Sequence, residues 1–104
     1  MNLGNTIKEI RKQKNISQTQ LANLCSISQT YLSQIENDQK EPNISILKVI
    51  ANKLNIALPI LFFLAIDEND IAPGKKEIFN TIGPTVKTLI KEFMADETVG
   101  NPGN

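Results

Sequence analysis

Residues 17–37, SQTQLANLCSISQTYLSQIEN, form the stretch that decides the fold of this 104-residue chain. Within it the apolar residues recur at intervals of three or four, as expected for two short helices that each bury one face. The apolar set is Leu21, Ala22, Cys25, Ile27, Leu32 and Ile35. Ala22 is small enough to let two helices cross closely, and Ile27 lies in the turn between them. The stretch therefore predicts two packed helices joined by a tight turn.

Serine residues begin both helices. Ser17 has Gln20 three residues later, which is the spacing of a capping box, and Ser28 is an N-cap for the second helix. These caps matter because helices of this length are marginal by themselves. Once its apolar residues are buried, the second helix keeps a face of small polar and amide side chains. This combination is typical of a helix-turn-helix motif, which inserts its second helix into a DNA groove.

A longer set of residues extends the pattern on both sides of the motif. It comprises Ile7 to Arg11, Ile16 to Gln18, Leu21-Ala22, Ile27-Ser28, Tyr31 to Asn37, Pro42, Leu47, Ile50-Ala51 and Leu54. With these residues, the chain from about residue 6 to residue 61 resembles the Cro and phage-repressor (XRE) class of helix-turn-helix proteins. The resemblance implies an all-α, five-helix, lambda-repressor-like domain that binds operator double-stranded DNA, usually as a dimer.

Two turn positions depart from the family pattern. Ser26 lies between the two motif helices and Asp38 follows the second one, and the family commonly has glycine at both places. A non-glycine residue held at positive φ costs on the order of 1 kcal/mol, and Asp tolerates it better than Ser. We therefore expect a local cost in stability at these turns and no change of fold.

The rest of the chain predicts further helices and a division into parts. The expected helices cover residues 5–13, 18–24, 29–37, 44–54 and 58–66, with Asn55 as a left-handed stop after the fourth. The parts are a helix-turn-helix domain over 1–66 with its motif at 18–37, a linker over 67–74, an appended C-terminal amphipathic helical segment over 75–96 and a disordered tail over 97–104. Pro84 predicts either a kink or a fresh helix start inside the C-terminal segment.

Composition excludes several classes of function. The chain has no His and one Cys, which removes the usual metal-ligand sets, every His-assisted nucleophile and any disulfide within the chain. We expect no catalytic residues, no metal and no cofactor. With no Trp and one Tyr, a platform that stacks single-stranded bases is not expected either. No segment has the length of a membrane span or a signal peptide, so the expected location is the cytoplasm and no membrane partner is expected.

The net charge of zero hides an asymmetry between the two ends of the chain. Residues 1–61 hold seven basic and four acidic side chains, whereas residues 62–104 hold four basic and seven acidic ones. The surplus of three positive charges in the first part is modest. Attraction to phosphate alone would give weak binding, so contacts with base edges must contribute more.

The polar face of the second motif helix contains the candidates for reading DNA. Gln can hydrogen-bond both N7 and N6 of adenine, and the methyl group of Thr can contact that of thymine. The candidate base contacts are Gln29, Thr30, Ser33 and Gln34, with Ser28 at the helix start. In the related family the first four match base-reading positions, while Gln18, Asn37 and Lys40 match residues that contact the DNA backbone. The alternative is that these side chains are only solvated polar positions.

Arg11, the only arginine of the chain, matches a residue that pairs with the glutamate ending the second motif helix in related domains. Here that partner is Glu36. The resemblance implies a structural ion pair that fixes the recognition helix, with Arg11 also near the DNA backbone. Cys25 lies on the packed face, which favours a small buried side chain over a redox sensor.

The segment 58–66 holds more apolar surface than a short fifth helix can bury against four others. Either the C-terminal segment covers it, as in a monomer core, or two chains meet there as a homodimer, or both occur. A two-fold operator favours the homodimer. The function expected from these observations is a sequence-specific transcriptional regulator, a repressor. The alternative is a protein-interaction module, such as an antitoxin or a regulator-binding protein, whose C-terminal helices contact a protein partner while DNA binding is weak or secondary.

Overall fold

A computed structural model describes the backbone of residues 1–99 and the side chains of residues 1–94. Over this part of the chain all regular structure is helical. The helices are α1 (Leu3–Gln13), α2 (Gln18–Leu24), α3 (Gln29–Glu36), α4 (Ile44–Lys53), α5 (Leu58–Ala65) and α6 (Lys76–Val99). The expected all-α fold class is therefore confirmed. The chain divides into two units, one of residues 2–65 and one that contains Met1 and the chain from Ile66 onward.

The first unit buries an aliphatic core between its five helices. Helix α1 packs against α3 and α5, α2 packs against α3 and α4, and α4 packs against α5. The side chains with almost no exposed surface are Ile7, Ile10, Leu21, Leu32, Ile35, Ile50, Leu54 and Leu61. Complete burial of such side chains contributes on the order of 2 kcal/mol each, which is what holds these short helices together.

The helices of the motif begin as their serines predict. The hydroxyl oxygen of Ser17 accepts from the backbone N–H of Gln20 at 3.0 Å, and the side chain of Gln20 accepts from the backbone N–H of Ser17 at 2.8 Å. Ser28 likewise accepts from the backbone N–H of Tyr31 at 3.0 Å. Asn43 caps α4 by accepting from the backbone N–H of Ile46 at 2.9 Å. Each bond satisfies an amide that the helix start would otherwise leave unpaired.

Four residues that are not glycine lie in the left-handed backbone region. Ser26 has a φ of 56°, Asp38 of 59° and Asn55 of 58°, as the sequence predicts for these three turns. The fourth is Asn15, at 57° in the turn between α1 and α2. Asn and Asp adopt this conformation more readily than other side chains, so Ser26 bears the largest cost.

Gly4 makes a close approach of α1 to the end of α3 possible. A Cβ atom built at Gly4 would collide with the backbone oxygen of Ile35, and it would lie 2.9 Å from that of Glu36 and 2.6 Å from Oδ1 of Asp38. Only glycine fits there without moving backbone. Helix α1 therefore packs closely against the C-terminal end of α3. It begins at Leu3, two residues earlier than the sequence predicts.

Helix α5 leaves none of its large apolar side chains exposed, although the sequence predicts excess apolar surface in this segment.

Within the described residues no single helix is long and apolar enough to cross a membrane. Helices α4 and α5 reach that length and composition only when taken together, and they are bent by 100° relative to each other.

The second unit consists of two short turns and one long helix. The expected linker contains 3-10 turns at Glu68–Asp70 and Pro73–Lys75. The Nζ atom of Lys87 donates to the backbone oxygen of Ile66 at 2.6 Å and lies 5.5 Å from the centre of the Phe79 ring. Helix α6 continues through Pro84 as one element, so of the two outcomes expected at this proline a fresh helix start does not occur. The helix extends to Val99, three residues past the expected end of the C-terminal segment, and the remainder of the expected tail lies outside the described residues.

Candidate nucleic-acid interface

Helix α3 separates its apolar and polar residues onto two faces. Leu32 and Ile35 are fully buried in the core of the first unit. On the other side Gln29 and Thr30 are exposed, and Ser33 and Gln34 are half-buried. Ser28 is exposed at the helix start, where its hydroxyl oxygen is used as the cap. The expected base-reading side chains are thus brought together along one edge of a single short helix.

The orientation of α3 is fixed by an ion pair between Arg11 of α1 and Glu36, the last residue of α3. Nε of Arg11 donates to Oε2 of Glu36 at 2.8 Å, and Nη2 donates to Oε1 at 2.9 Å. The third nitrogen, Nη1, donates to the backbone oxygen of Ile16 at 2.9 Å. Arg11 is 7% exposed and Glu36 is 4% exposed. All three guanidinium nitrogens therefore have partners inside the protein, in the planar two-bond geometry that makes such pairs specific.

Glu36 also holds Gln18, the first residue of α2. Nε2 of Gln18 donates to Oε1 of Glu36 at 3.1 Å, on the same oxygen that accepts from Arg11. Oε1 of Gln18 in turn accepts from Nε2 of Gln29 at 3.4 Å, a long bond at the exposed edge. A chain of polar contacts thus leads from Arg11 through Glu36 and Gln18 to Gln29. Because each member restricts the next, the exposed amide of Gln29 is oriented before any ligand arrives.

The segment after α3 carries the remaining candidates. Nδ2 of Asn37 lies 3.4 Å from the hydroxyl oxygen of Ser33, to which it donates. The backbone N–H groups of Gln39 and Lys40 both donate to the backbone oxygen of Gln34, at 2.8 and 3.2 Å. These bonds fold the chain back beside the polar face, and the side chains of Asn37 and Lys40 are both exposed. A cation and an amide donor therefore flank the row of candidate base-reading residues.

The link from Gln18 to Gln29 is the part of this site that sequence reasoning missed. A signal for it is present in the sequence, because Ser17-Gln18-Thr19 and Ser28-Gln29-Thr30 repeat the same helix start. Both glutamines are the first residue after a serine cap, and the close packing of α2 against α3 brings the two starts together. The repeat predicts like helix starts, but the contact depends on the angle between the helices, which sequence does not give.

Cys25 lies away from this polar face, buried where α2 ends. Burial raises the pKa of its thiol above the usual range, and the positive charge of Lys53 opposes that shift only in part. A thiol with a raised pKa is a poor nucleophile at neutral pH. Among the side chains of residues 1–94, no group of three or more acidic or thiol ligands is placed to hold a metal ion.

Comparison with known proteins identifies a family and several relatives that are similar in sequence. A helix-turn-helix family model matches residues 7–61, which is α1 through α5 without their outer ends. An immunity repressor protein of Bacillus phage phi105 is 32% identical over 90 residues, covering 75% of this chain and 62% of that protein. An ImmF control region 10 kDa protein of the same phage is 42% identical over 59 residues, covering 57% of this chain and 66% of its own length.

A bacterial protein is similar over the same number of residues as the second phage protein. The control protein C.SmaI of Serratia marcescens is 30% identical over 59 residues, covering 57% of this chain and 70% of its own length. The matches to the two phage proteins span less than two thirds of either one. The family model covers more than half of this chain and includes the whole motif. The chain therefore belongs to the helix-turn-helix family of Cro and phage-repressor (XRE) type.

Proposed function

We propose that this protein is a sequence-specific double-stranded DNA-binding transcriptional regulator that inserts α3 into the major groove. The observation that carries the proposal is the polar edge of α3, anchored at Glu36 by the buried pair with Arg11 and continued to Gln29 through Gln18. Polar side chains that are only solvated do not require a buried ion pair to fix their helix. Side chains that bind base edges benefit from one, because amides that are already oriented lose less conformational freedom on binding.

Each candidate residue has a role in this proposal. Gln29 and Gln34 read adenine edges through their amides, while Thr30, Ser33 and Ser28 offer methyl or hydroxyl contacts to neighbouring bases. Gln18, Asn37 and Lys40 contact the sugar-phosphate backbone and set the register. Arg11 acts as a positioning residue for α3, because its guanidinium nitrogens are already engaged within the protein.

The low net charge determines how such a protein discriminates between sites. With a surplus of only three positive charges in residues 1–61, few phosphates can be neutralised, and affinity for random duplex stays low. Specific affinity then depends on base-edge contacts and on a second copy of α3. A homodimer supplies that copy on a two-fold site, with half-sites about one helical turn of DNA apart.

The names of the relatives support repression as the regulatory outcome. One phage protein is an immunity repressor, and the bacterial one is a control protein. A bound dimer that occupies a promoter excludes other proteins from it, which requires no catalytic group. Because its ligand is intracellular duplex DNA, the proposal locates the protein in the cytoplasm.

The test is selection from a pool of random duplexes with the full-length protein. Enrichment of one sequence with two related half-sites is the result expected, with binding that weakens as salt rises. The absence of any enriched sequence would refute the proposal. The second candidate function, a protein-interaction module, is favoured by the exposed apolar side chains of α6 and predicts no enrichment in this selection.

A further inference from the structure

Helix α6 carries an exposed apolar stripe. Its members are Ile78, Ile82, Leu89 and Phe93, which are 56%, 53%, 59% and 68% exposed. At about 100° per residue, the four side chains project within about 60° of one another around the helix axis. From Ile78 to Phe93 the stripe runs about 22 Å. Apolar surface gathered on one side of a helix is characteristic of a face that packs against another element.

The spacing of the stripe is the same read from either end. Ile78 and Ile82 are four residues apart, and so are Leu89 and Phe93, while the two inner members, Ile82 and Leu89, are seven residues apart. The centre of this arrangement falls between Thr85 and Val86. A second α6 running in the opposite direction would therefore place its Ile82 beside Leu89 and its Phe93 beside Ile78. This is the self-complementarity that a two-fold interface requires.

The surface beside the stripe contains a hole of the right kind for this pairing. A groove of about 320 Å³ is lined by Thr85, Thr88, Leu89 and Glu92, together with Pro84. The first four residues have the spacing i, i+3, i+4 and i+7, which is the spacing of a hole that receives one side chain in packed helices. In the antiparallel arrangement the residue opposite the middle of this hole is Ile82 of the second copy. Ile82 and the groove that receives it thus lie on the same surface of α6, as a two-fold interface requires.

The area of the stripe is sufficient to reach the lower bound for a specific interface. A large apolar side chain presents on the order of 200 Å² when fully exposed, so four side chains exposed by somewhat more than half offer about 400 Å² per copy. Two copies bury about 800 Å², and the flanking Thr85 and Val86 bring the total to roughly 1,000 Å², the lower bound for a specific interface. Between Ile78 and Leu89 no charged residue lies on that side of the helix, and the charged residue beside the stripe is Glu92, at the edge of the groove.

We infer that α6 is the homodimer interface, with two copies packed antiparallel about an axis between Thr85 and Val86. This inference takes the dimer from the proposed function and adds the surface that forms it. It assigns the four exposed apolar side chains of α6 to a second copy of the same chain and not to an unrelated partner.

Single cysteines on α6, and one at Lys75 in the turn just before it, test this geometry directly. At an interaxial distance of about 9 Å, the two Thr85 Cα atoms lie about 6 Å apart, within the span of a disulfide. The two Thr81 Cα atoms lie about 16 Å apart, and the two Lys75 Cα atoms about 30 Å apart. Under mild oxidation Thr85→Cys is expected to form a cross-linked dimer, whereas Thr81→Cys, Lys75→Cys and the unmodified chain with its buried Cys25 do not.

Two results of this experiment would overturn the inference. Cross-linking through Lys75→Cys indicates parallel helices, and no cross-linking through Thr85→Cys indicates that the copies do not meet at this point. Either result leaves the reading of DNA by α3 untouched, since the duplex selection is scored separately.

Sedimentation equilibrium of the full chain supplies the second measurement. Leu89→Asp is expected to raise the dimer dissociation constant at least about 30-fold, because it places a charge within the apolar stripe, opposite Ile82 of the second copy. Ile44→Asp is the matched control, since Ile44 is 51% exposed on α4, and it is expected to leave the dimer intact. Helical circular dichroism verifies that both variants fold. A Leu89→Asp protein that dimerises as the unmodified chain does would refute the interface, and so would an unmodified chain that is a monomer at every concentration.

Discussion

Arg11 and Glu36 are joined by two hydrogen bonds of 2.8 and 2.9 Å, and they connect the end of α1 to the end of α3. Both side chains are almost wholly buried, and no buried side-chain polar atom of residues 1–94 lacks a hydrogen-bond partner. The same carboxylate accepts from Gln18. One buried acid therefore sets the position of the recognition helix and of the first residue of α2, which links the stability of the domain to the geometry of its polar edge.

Removal of one partner of this pair should be costly. Arg11→Ala leaves the carboxylate of Glu36 buried without its cation, and such losses cost about 3–5 kcal/mol. Lys12→Ala, one residue along and exposed, should change the free energy of unfolding by less than about 0.5 kcal/mol. Urea unfolding of both variants measures the difference. Equal and small effects would show that the pair is not buried as described.

Gly4 predicts an effect opposite to ordinary helix propensity. Alanine in a helix interior usually gains on the order of 1 kcal/mol over glycine. At Gly4, however, the added Cβ would meet backbone oxygens of Ile35 and Glu36, so Gly4→Ala should destabilise by about 1–3 kcal/mol. Gly74→Ala is the control, because a Cβ at Gly74 meets no atom within 4 Å. Thermal unfolding in which both variants match the unmodified chain would contradict the close approach of α1 to α3.

The turn at Ser26 predicts a stabilising substitution. Ser26 has a φ of 56°, and glycine adopts this conformation without the penalty of a Cβ. Ser26→Gly should therefore raise the free energy of unfolding by up to about 1 kcal/mol. Lys48→Gly, on an exposed position inside α4, should lower it by about 1 kcal/mol. Effects of the same sign in chemical denaturation would argue against the strain assigned to Ser26.

Cys25 should behave as a buried side chain and not as a sensor. Burial raises the pKa of its thiol, so little reactive thiolate forms at pH 8. Its reaction with Ellman's reagent should be at least about tenfold slower in the folded protein than in urea. In the folded state the reaction rate should continue to rise with pH above the pKa of an ordinary thiol, because the pKa of Cys25 is raised. Comparable rates in both states would reopen the redox interpretation.

Sequence reasoning predicted the first unit well because its signals are local. The spacing of Leu21, Cys25, Leu32 and Ile35 and the serine caps depend only on neighbouring residues, and the five helices lie within two residues of the expected bounds. The turns at Asp38 and Asn55 follow from residue type in the same way. These features required no knowledge of how distant segments meet.

The features that sequence reasoning missed depend on contacts between segments. The early start of α1 at Leu3 depends on the space that Gly4 leaves for the end of α3. The bond from Gln29 to Gln18 depends on the angle between α2 and α3. The predicted excess of apolar surface is exposed on α6 and not on α5. Whether an apolar helix face is buried depends on which other element packs against it. The spacing of apolar residues in the sequence identifies an apolar face of a helix but not the element that packs against that face.

The central claim is that amides on α3 read base edges while Lys40 contacts only phosphate. The most direct measurement is fluorescence anisotropy with a selected duplex and a scrambled duplex of the same length, at one salt concentration. Gln29→Ala with Gln34→Ala should reduce the preference for the selected duplex by about 10-fold to 1,000-fold and leave affinity for the scrambled one nearly unchanged. Lys40→Ala should weaken both by a similar factor. Full preference retained by the double glutamine variant would contradict the account.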